Sequence, residues 1–171
     1  MSPDGLEHIR DDEGFFARVY DDGVGNQTIG YGHMLQPGES FARGLTELKA
    51  RDLLAQDVAR IVNPALDRVT TPLTQNQVDA LGSFIYNVGP GNFKRFILPA
   101  LNARNFEYVS TRMANFVRGA NQRTGELVTL RGLIRRRHDE VAQFLSGATT
   151  SFAPDELRPA ARQLASLDNP R

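Results

Sequence analysis

A carboxylate at Glu13, a second at Asp22 and a hydroxyl at Thr28 fall within one short stretch, EGFFARVYDDGVGNQTIGYGH, running from Glu13 to His33. A carboxyl that gives up a proton, a carboxylate that stays ionised and a hydroxyl that steadies a water can together hydrolyse a glycosidic bond. Glu13 follows Leu6 and Ile9 at helical spacing, so its side chain is expected on the inward face of a first helix and partly desolvated. Gly14 is a natural stop for that helix and leaves Glu13 at the negative end of its dipole. Both influences are expected to favour the protonated carboxyl, the form a general acid requires. Asp22, in the polar run DDGVG, is expected to stay ionised, and Asp21 beside it reads as a turn former.

These groups need elements to position them. Ser2, Pro3 and Asp4 offer a cap, a first-turn proline and an acid for the start of a helix predicted to run to about Glu13. ARVY (17–20) and QTIGY (27–31) have β-forming composition and predict a hairpin, with Asp22 in its turn and Thr28 on its return strand. From Thr46, the residues Leu48, Leu53, Leu54, Val58, Ile61 and Val62 share one side of a helix predicted to end at Pro64. At ~1.5 Å per residue it would reach roughly 24 Å, enough to connect two lobes. Thr74 and Gln77 form a capping box for a buried helix bearing Val78, Leu81 and Ile85. Short helices are predicted at 93–102, 106–117 and 130–145, with a glycine-containing loop around 119–125. Small residues and prolines from Gly147 onward mark 147–171 as a tail or an extra helix.

With 171 residues and 40% hydrophobic content, the chain suits one domain or two small lobes sharing a core. Lys plus Arg equals Asp plus Glu at 20 each, so no overall charge drives binding to nucleic acid or to an anionic envelope. The lack of cysteine excludes disulfides and thiol catalysis. MSPDGLEHIRDDEG has neither the basic region nor the apolar run of a signal peptide or anchor. No clustered His or Cys spacing suggests a metal, and no cofactor is expected.

The pattern E-G-x(7)-D-x(5)-T-I-G-x-G-H resembles the phage-type lysozymes, the endolysins of glycoside hydrolase family 24. Gln56-Asp57-Val58, the segment QVDALGSFIYNVG at 77–89 and GLIRRRHDE at 132–140, which fits G-L-x-x-R-R-x-x-E, extend the resemblance over roughly residues 5–146. It implies an α+β, lysozyme-like and mostly helical fold. A small β-hairpin or sheet lobe (about 14–60) and a helical lobe (about 61–146 plus the first helix) would be joined by the long helix. It also implies a muramidase that hydrolyses the β-1,4 bond between N-acetylmuramic acid and N-acetylglucosamine in peptidoglycan by inversion. Glu13 would be the general acid, Asp22 would orient or activate the water, and Thr28 would hold it. Met34, Tyr86 and Asn87 are implied as sugar contacts, Tyr86 and Asn87 reading also as core and cap. His33 is implied as a structural partner of Asp57, and Arg136 as a neighbour of Glu13. The run Arg135-Arg136-Arg137 otherwise reads as a solvated helix face, sharing its helix with Asp139 and Glu140.

The partner so implied is the glycan strand of peptidoglycan, bound by a monomer without nucleic acid or membrane insertion. The protein would remain in the cytoplasm of the producing cell until released or exported, and act on the cell wall in the periplasm. Three rivals differ in what they need. A lytic transglycosylase uses one acid/base glutamate and no water-orienting aspartate, and a non-catalytic wall-binding module uses none of the three groups. The muramidase domain of a secreted antibacterial effector would keep the chemistry and change only its use.

Overall fold

A computed structural model describes residues 1–22, 25–121 and 124–146, so the tail predicted at 147–171 lies outside the described residues. Helix α1 (Pro3–Glu13) begins with Ser2 Oγ accepting the Gly5 N–H at 3.1 Å and with Pro3 in the first turn, where its missing N–H costs nothing. Gly14 ends it at φ 69°, its N–H donating to Arg10 O at 2.9 Å. The fully buried Ile9 faces α4 (Gln75–Val88), which opens with the Thr74–Gln77 capping box. The two helices meet closely at Gly5, where an added Cβ would lie 2.5 Å from Asp79 Oδ1. Asp79 accepts from Ser2 N at 2.8 Å and Ser2 Oγ at 2.5 Å, so the start of the chain is tied into the body.

Strands β1 (Phe16–Asp21), β2 (Gln27–Gly30) and β3 (His33–Met34) form an antiparallel sheet in the order β1-β2-β3. The expected hairpin is present and gains a third strand, because Gly30 and Gly32 take φ values of 68° and 85° and turn the chain back on itself. Tyr20 stands opposite Thr28, and Thr28 opposite Met34. The β1 register shifts between Phe16 and Tyr20, and there Ala17 O accepts the Leu45 N–H at 2.8 Å.

The helix expected to stop at Pro64 does not stop there. Helix α2 (Glu47–Asp57) passes through a π-helical turn, Val58–Val62, into α3 (Asn63–Leu66), which contains Pro64. A proline cannot follow a regular α-helical turn without losing a hydrogen bond and clashing with the carbonyl four residues back. The wider turn, closed by Asn63 N–H to Val58 O, shifts the register just before the proline and lets the helix continue. Leu48, assigned to the inward stripe, is 71% exposed, since the first turn of α2 projects beyond the core.

The helix predicted at 93–102 divides at Ile97 into α5 (Pro90–Phe96) and α6 (Leu98–Asn102), and α7 (Phe106–Ala114) ends before its predicted limit. The predicted loop overlaps the hairpin β4 (Arg118–Ala120) and β5 (Leu127–Thr129), whose three-residue strands are too short for alternation to signal them. Helix α8 (Arg131–Ser146) closes the fold. One buried cluster runs from Ala50 and Leu54 of α2 through Leu81, Phe84 and Ile85 of α4 to Val141 and Phe144 of α8, so sheet side and helical side share a core.

Candidate active site

Glu13 ends α1 against the turn that joins β2 to β3. A Cβ added to Gly32 would lie 3.4 Å from Glu13 Oε2 and 3.7 Å from Tyr86 Cε1, ordinary contact distances, so it is the φ of 85° that calls for glycine here. Glu13 Oε1 accepts from Arg136 Nη1 at 2.5 Å, and the side chain is 22% exposed. It is partly desolvated, yet solvent reaches it.

Arg136 is buried on α8 and shares its guanidinium widely. Nε meets Asp12 Oδ2 at 3.2 Å and Glu140 Oε1 at 3.1 Å, and Nη2 donates to Ser83 O at 3.3 Å. Burial works against its charge, but Glu13, Glu140 and Asp12 outweigh that and raise its pKa above the usual arginine value. Beside it Arg137 is fully buried, with Nη2 on Glu140 Oε1 at 2.8 Å and its guanidinium 4.9 Å from the centre of the Phe84 ring. Glu140 also accepts from Ser83 Oγ at 2.7 Å. Burial pushes the Glu140 carboxyl up and the Arg137 guanidinium down, each opposed by the other's charge. The solvated face expected for this run is therefore incorrect for Arg137, while Arg136 lies beside Glu13 as the resemblance implies. Three- and four-residue spacing lets the two cations meet one carboxylate, and α4 covers them.

Asp22 follows β1 and is clamped by Asn26. The Asn26 N–H donates to Oδ1 at 3.0 Å, its Nδ2 donates to Oδ2 at 2.7 Å, and the Asp22 N–H returns to Asn26 O at 3.0 Å. The carboxylate is thus oriented despite lying in a turn. Sequence reasoning missed Asn26, although a side-chain amide four residues after an aspartate in a glycine-bounded turn was a usable signal. Thr28 is 4% exposed, and its hydroxyl has no hydrogen-bond partner among the described residues. An orphaned buried hydroxyl costs about 1–3 kcal/mol, so a bound partner would be strongly favoured. Tyr20 stands opposite Thr28, and burial first, then the charges of Glu13 and Asp22, raise its phenol pKa.

Of the implied sugar contacts, Met34 is 47% exposed on β3 and Asn87 is exposed in the last turn of α4. The Tyr86 hydroxyl donates to Tyr31 O at 2.8 Å and so braces the turn beside Glu13. Burial, with the charges of Asp57 and Glu13, drives that phenol's pKa far up.

His33 Nδ1 lies 2.7 Å from Asp57 Oδ2, and Nε2 lies 2.8 Å from Glu39 Oε2. Asp57 Oδ1 accepts from Arg60 Nη2 at 2.7 Å. With both ring nitrogens engaged, His33 ties β3 to α2 and to the loop containing Glu39. Glu39 was not singled out from the sequence.

The Gln36 N–H and His33 hold the Glu39 carboxyl below its usual range. A lowered folded pKa gives stability that is present above the unfolded pKa and lost as pH falls through the folded one. Glu39→Gln should therefore be less stable than wild type at about pH 6 and converge with it toward about pH 3. Urea unfolding across that range checks this, and a gap that does not change with pH would refute it.

The phage lysozyme family model matches residues 10–140 of the chain. The chain is 33% identical over 150 residues to the endolysin of Acyrthosiphon pisum secondary endosymbiont phage 1, covering 85% of this chain and 98% of that protein. Among solved structures, it is similar to the muramidase domain of SpmX from Asticaccaulis excentricus, with TM-score 0.74, 34% identity and coverage of 84% and 96% of the two chains. It is likewise similar to the endolysin from Escherichia coli O157:H7 phage FAHEc1, with TM-score 0.74, 30% identity and coverage of 84% and 92%.

Proposed function

Because this chain belongs to the phage lysozyme family and is an endolysin-like, peptidoglycan-hydrolysing enzyme, we propose that it works by inversion with Glu13 as general acid and Asp22 and Thr28 as the water-positioning pair. The supporting observation is the clamped Asp22 carboxylate in the same group as a buried Thr28 hydroxyl that lacks a partner. A water bonded to both would satisfy Thr28 and be aligned for attack on the anomeric carbon. Glu13, anchored by Arg136, would protonate the leaving oxygen from the other side of the sugar. The bond cleaved is the β-1,4 link between N-acetylmuramic acid and N-acetylglucosamine. The glycan would lie between a sheet lobe of about residues 14–60 and a helical lobe of about 61–146 plus α1, against Met34, Asn87 and the ring of Tyr86.

On this reading the working unit is a monomer. No helix among the described residues is long and apolar enough to cross a membrane. On this reading the protein stays in the cytoplasm of the producing cell until it is released or exported, and acts on the cell wall in the periplasm. A transglycosylase has no use for the Asp22–Asn26 clamp.

Digestion of purified peptidoglycan followed by mass analysis tests the reaction. Products carrying one added water are expected, and anhydro ends would instead indicate transglycosylation. Proton NMR of the first-formed reducing ends is expected to show the α anomer, whereas the β anomer would overturn inversion.

A further inference from the structure

Tyr20 is next to last in β1 and directly opposite Thr28 on β2, which itself faces Met34 on β3. Directly opposed residues of antiparallel strands project from the same face, so the three side chains form one row across the sheet. Tyr20 thereby flanks the hydroxyl assigned to the attacking water. Its ring is half-buried and rests on Phe16, with centroids 4.4 Å apart at an interplanar angle of 38°. Phe16 is 46% exposed, so the pair forms an aromatic ledge with a free side.

The phenol has no hydrogen-bond partner among the described residues, although the carboxylates of Glu13 and Asp22 both act on it. Each carboxylate already has a partner of its own. Glu13 Oε1 already accepts from Arg136, and Asn26 holds both oxygens of Asp22. A phenol with no acceptor among the described residues, in one row with Thr28 across the sheet, is matched to an acceptor that enters with the substrate.

We propose that Tyr20 is a substrate-positioning residue whose O–H donates to an oxygen of the amino sugar bound between Glu13 and Asp22. The role rests on Glu13 and Asp22 being the reacting pair. Burial, then the two negative charges, raise the phenol pKa, so it stays a donor wherever the carboxyl pair can work. In the sequence it was hidden in ARVY, where a tyrosine reads simply as a strand former.

Tyr20→Phe removes one oxygen and leaves the ring on Phe16. On soluble peptidoglycan glycan fragments its KM should rise roughly three- to tenfold, as for one lost hydrogen bond, with kcat within about twofold and Tm unchanged. Tyr20→Ala, which removes the ledge as well, should raise KM further. Wild-type KM in Tyr20→Phe would mean that the phenol touches no substrate and would overturn the proposal. A fall in kcat with KM unchanged would overturn it too, because Tyr20 would then act through the carboxylates. A wild-type protein with no activity on these fragments would refute the hydrolase reading itself, a result distinct from an active wild type matched by an equally active Tyr20→Phe.

Discussion

Glu13→Gln is expected to fold as the wild type does and to lose on the order of 10²–10⁴ in turnover, the usual share of a positioned proton donor. The amide is nearly the same shape as the carboxyl, and its oxygen can still accept from Arg136, which holds Glu13 Oε1 at 2.5 Å. What it cannot do is deliver a proton to the leaving oxygen. Arg136 keeps Asp12 and Glu140 as counter-charges, so the substitution does not strand a buried cation. Circular-dichroism melting and product release from purified peptidoglycan, measured on the same sample, separate the two effects. A folded variant with wild-type turnover would remove Glu13 from the mechanism.

Glu140→Ala should cost about 3–5 kcal/mol of stability, the range for breaking a buried ion pair from one side. Glu140 Oε1 is the acceptor shared by Arg136, Arg137 and Ser83, and its loss leaves Arg137 buried without its carboxylate. Against a typical total of ~5–15 kcal/mol, that is a large share of the fold. Urea unfolding measures it, and a loss below about 1 kcal/mol would show that the pair is not coupled as its geometry indicates. Replacing Arg137 and Glu140 together by leucine should recover part of the loss, since the uncompensated charge disappears with its partner. Activity should fall in Glu140→Ala even where the protein remains folded, because the guanidinium that anchors Glu13 loses one of its supports.

Features decided within a turn or two of chain were readable in the sequence. The caps at Ser2 and Thr74 each act on a backbone N–H three residues away, and Gly14 stops α1 through one local hydrogen bond. The spacing from Glu13 to Asp22 and Thr28 was legible for a related reason: a helix end and a hairpin are both local constructions. Arg137 was misread because its burial depends on α4, far off in sequence, and charged residues in a helix are usually solvated. Pro64 was misread because a helix stop is the ordinary consequence of proline, and nothing in VARIV announces a π turn. Asn26 and Glu39 escaped notice because a lone polar residue in a loop is seldom anchored so firmly.

The bond from Arg136 to Glu13 joins residues 123 positions apart, and it has a consequence during synthesis. Translation adds ~5–20 residues per second, so the glutamate is made roughly 6–25 seconds before the arginine that fixes it. Once His33 is added, the growing chain holds all of EGFFARVYDDGVGNQTIGYGH but not the helix that fixes the Glu13 carboxyl. A ribosome still at work on this message therefore carries an unfinished hydrolase, and the site is completed only when α8 emerges and docks.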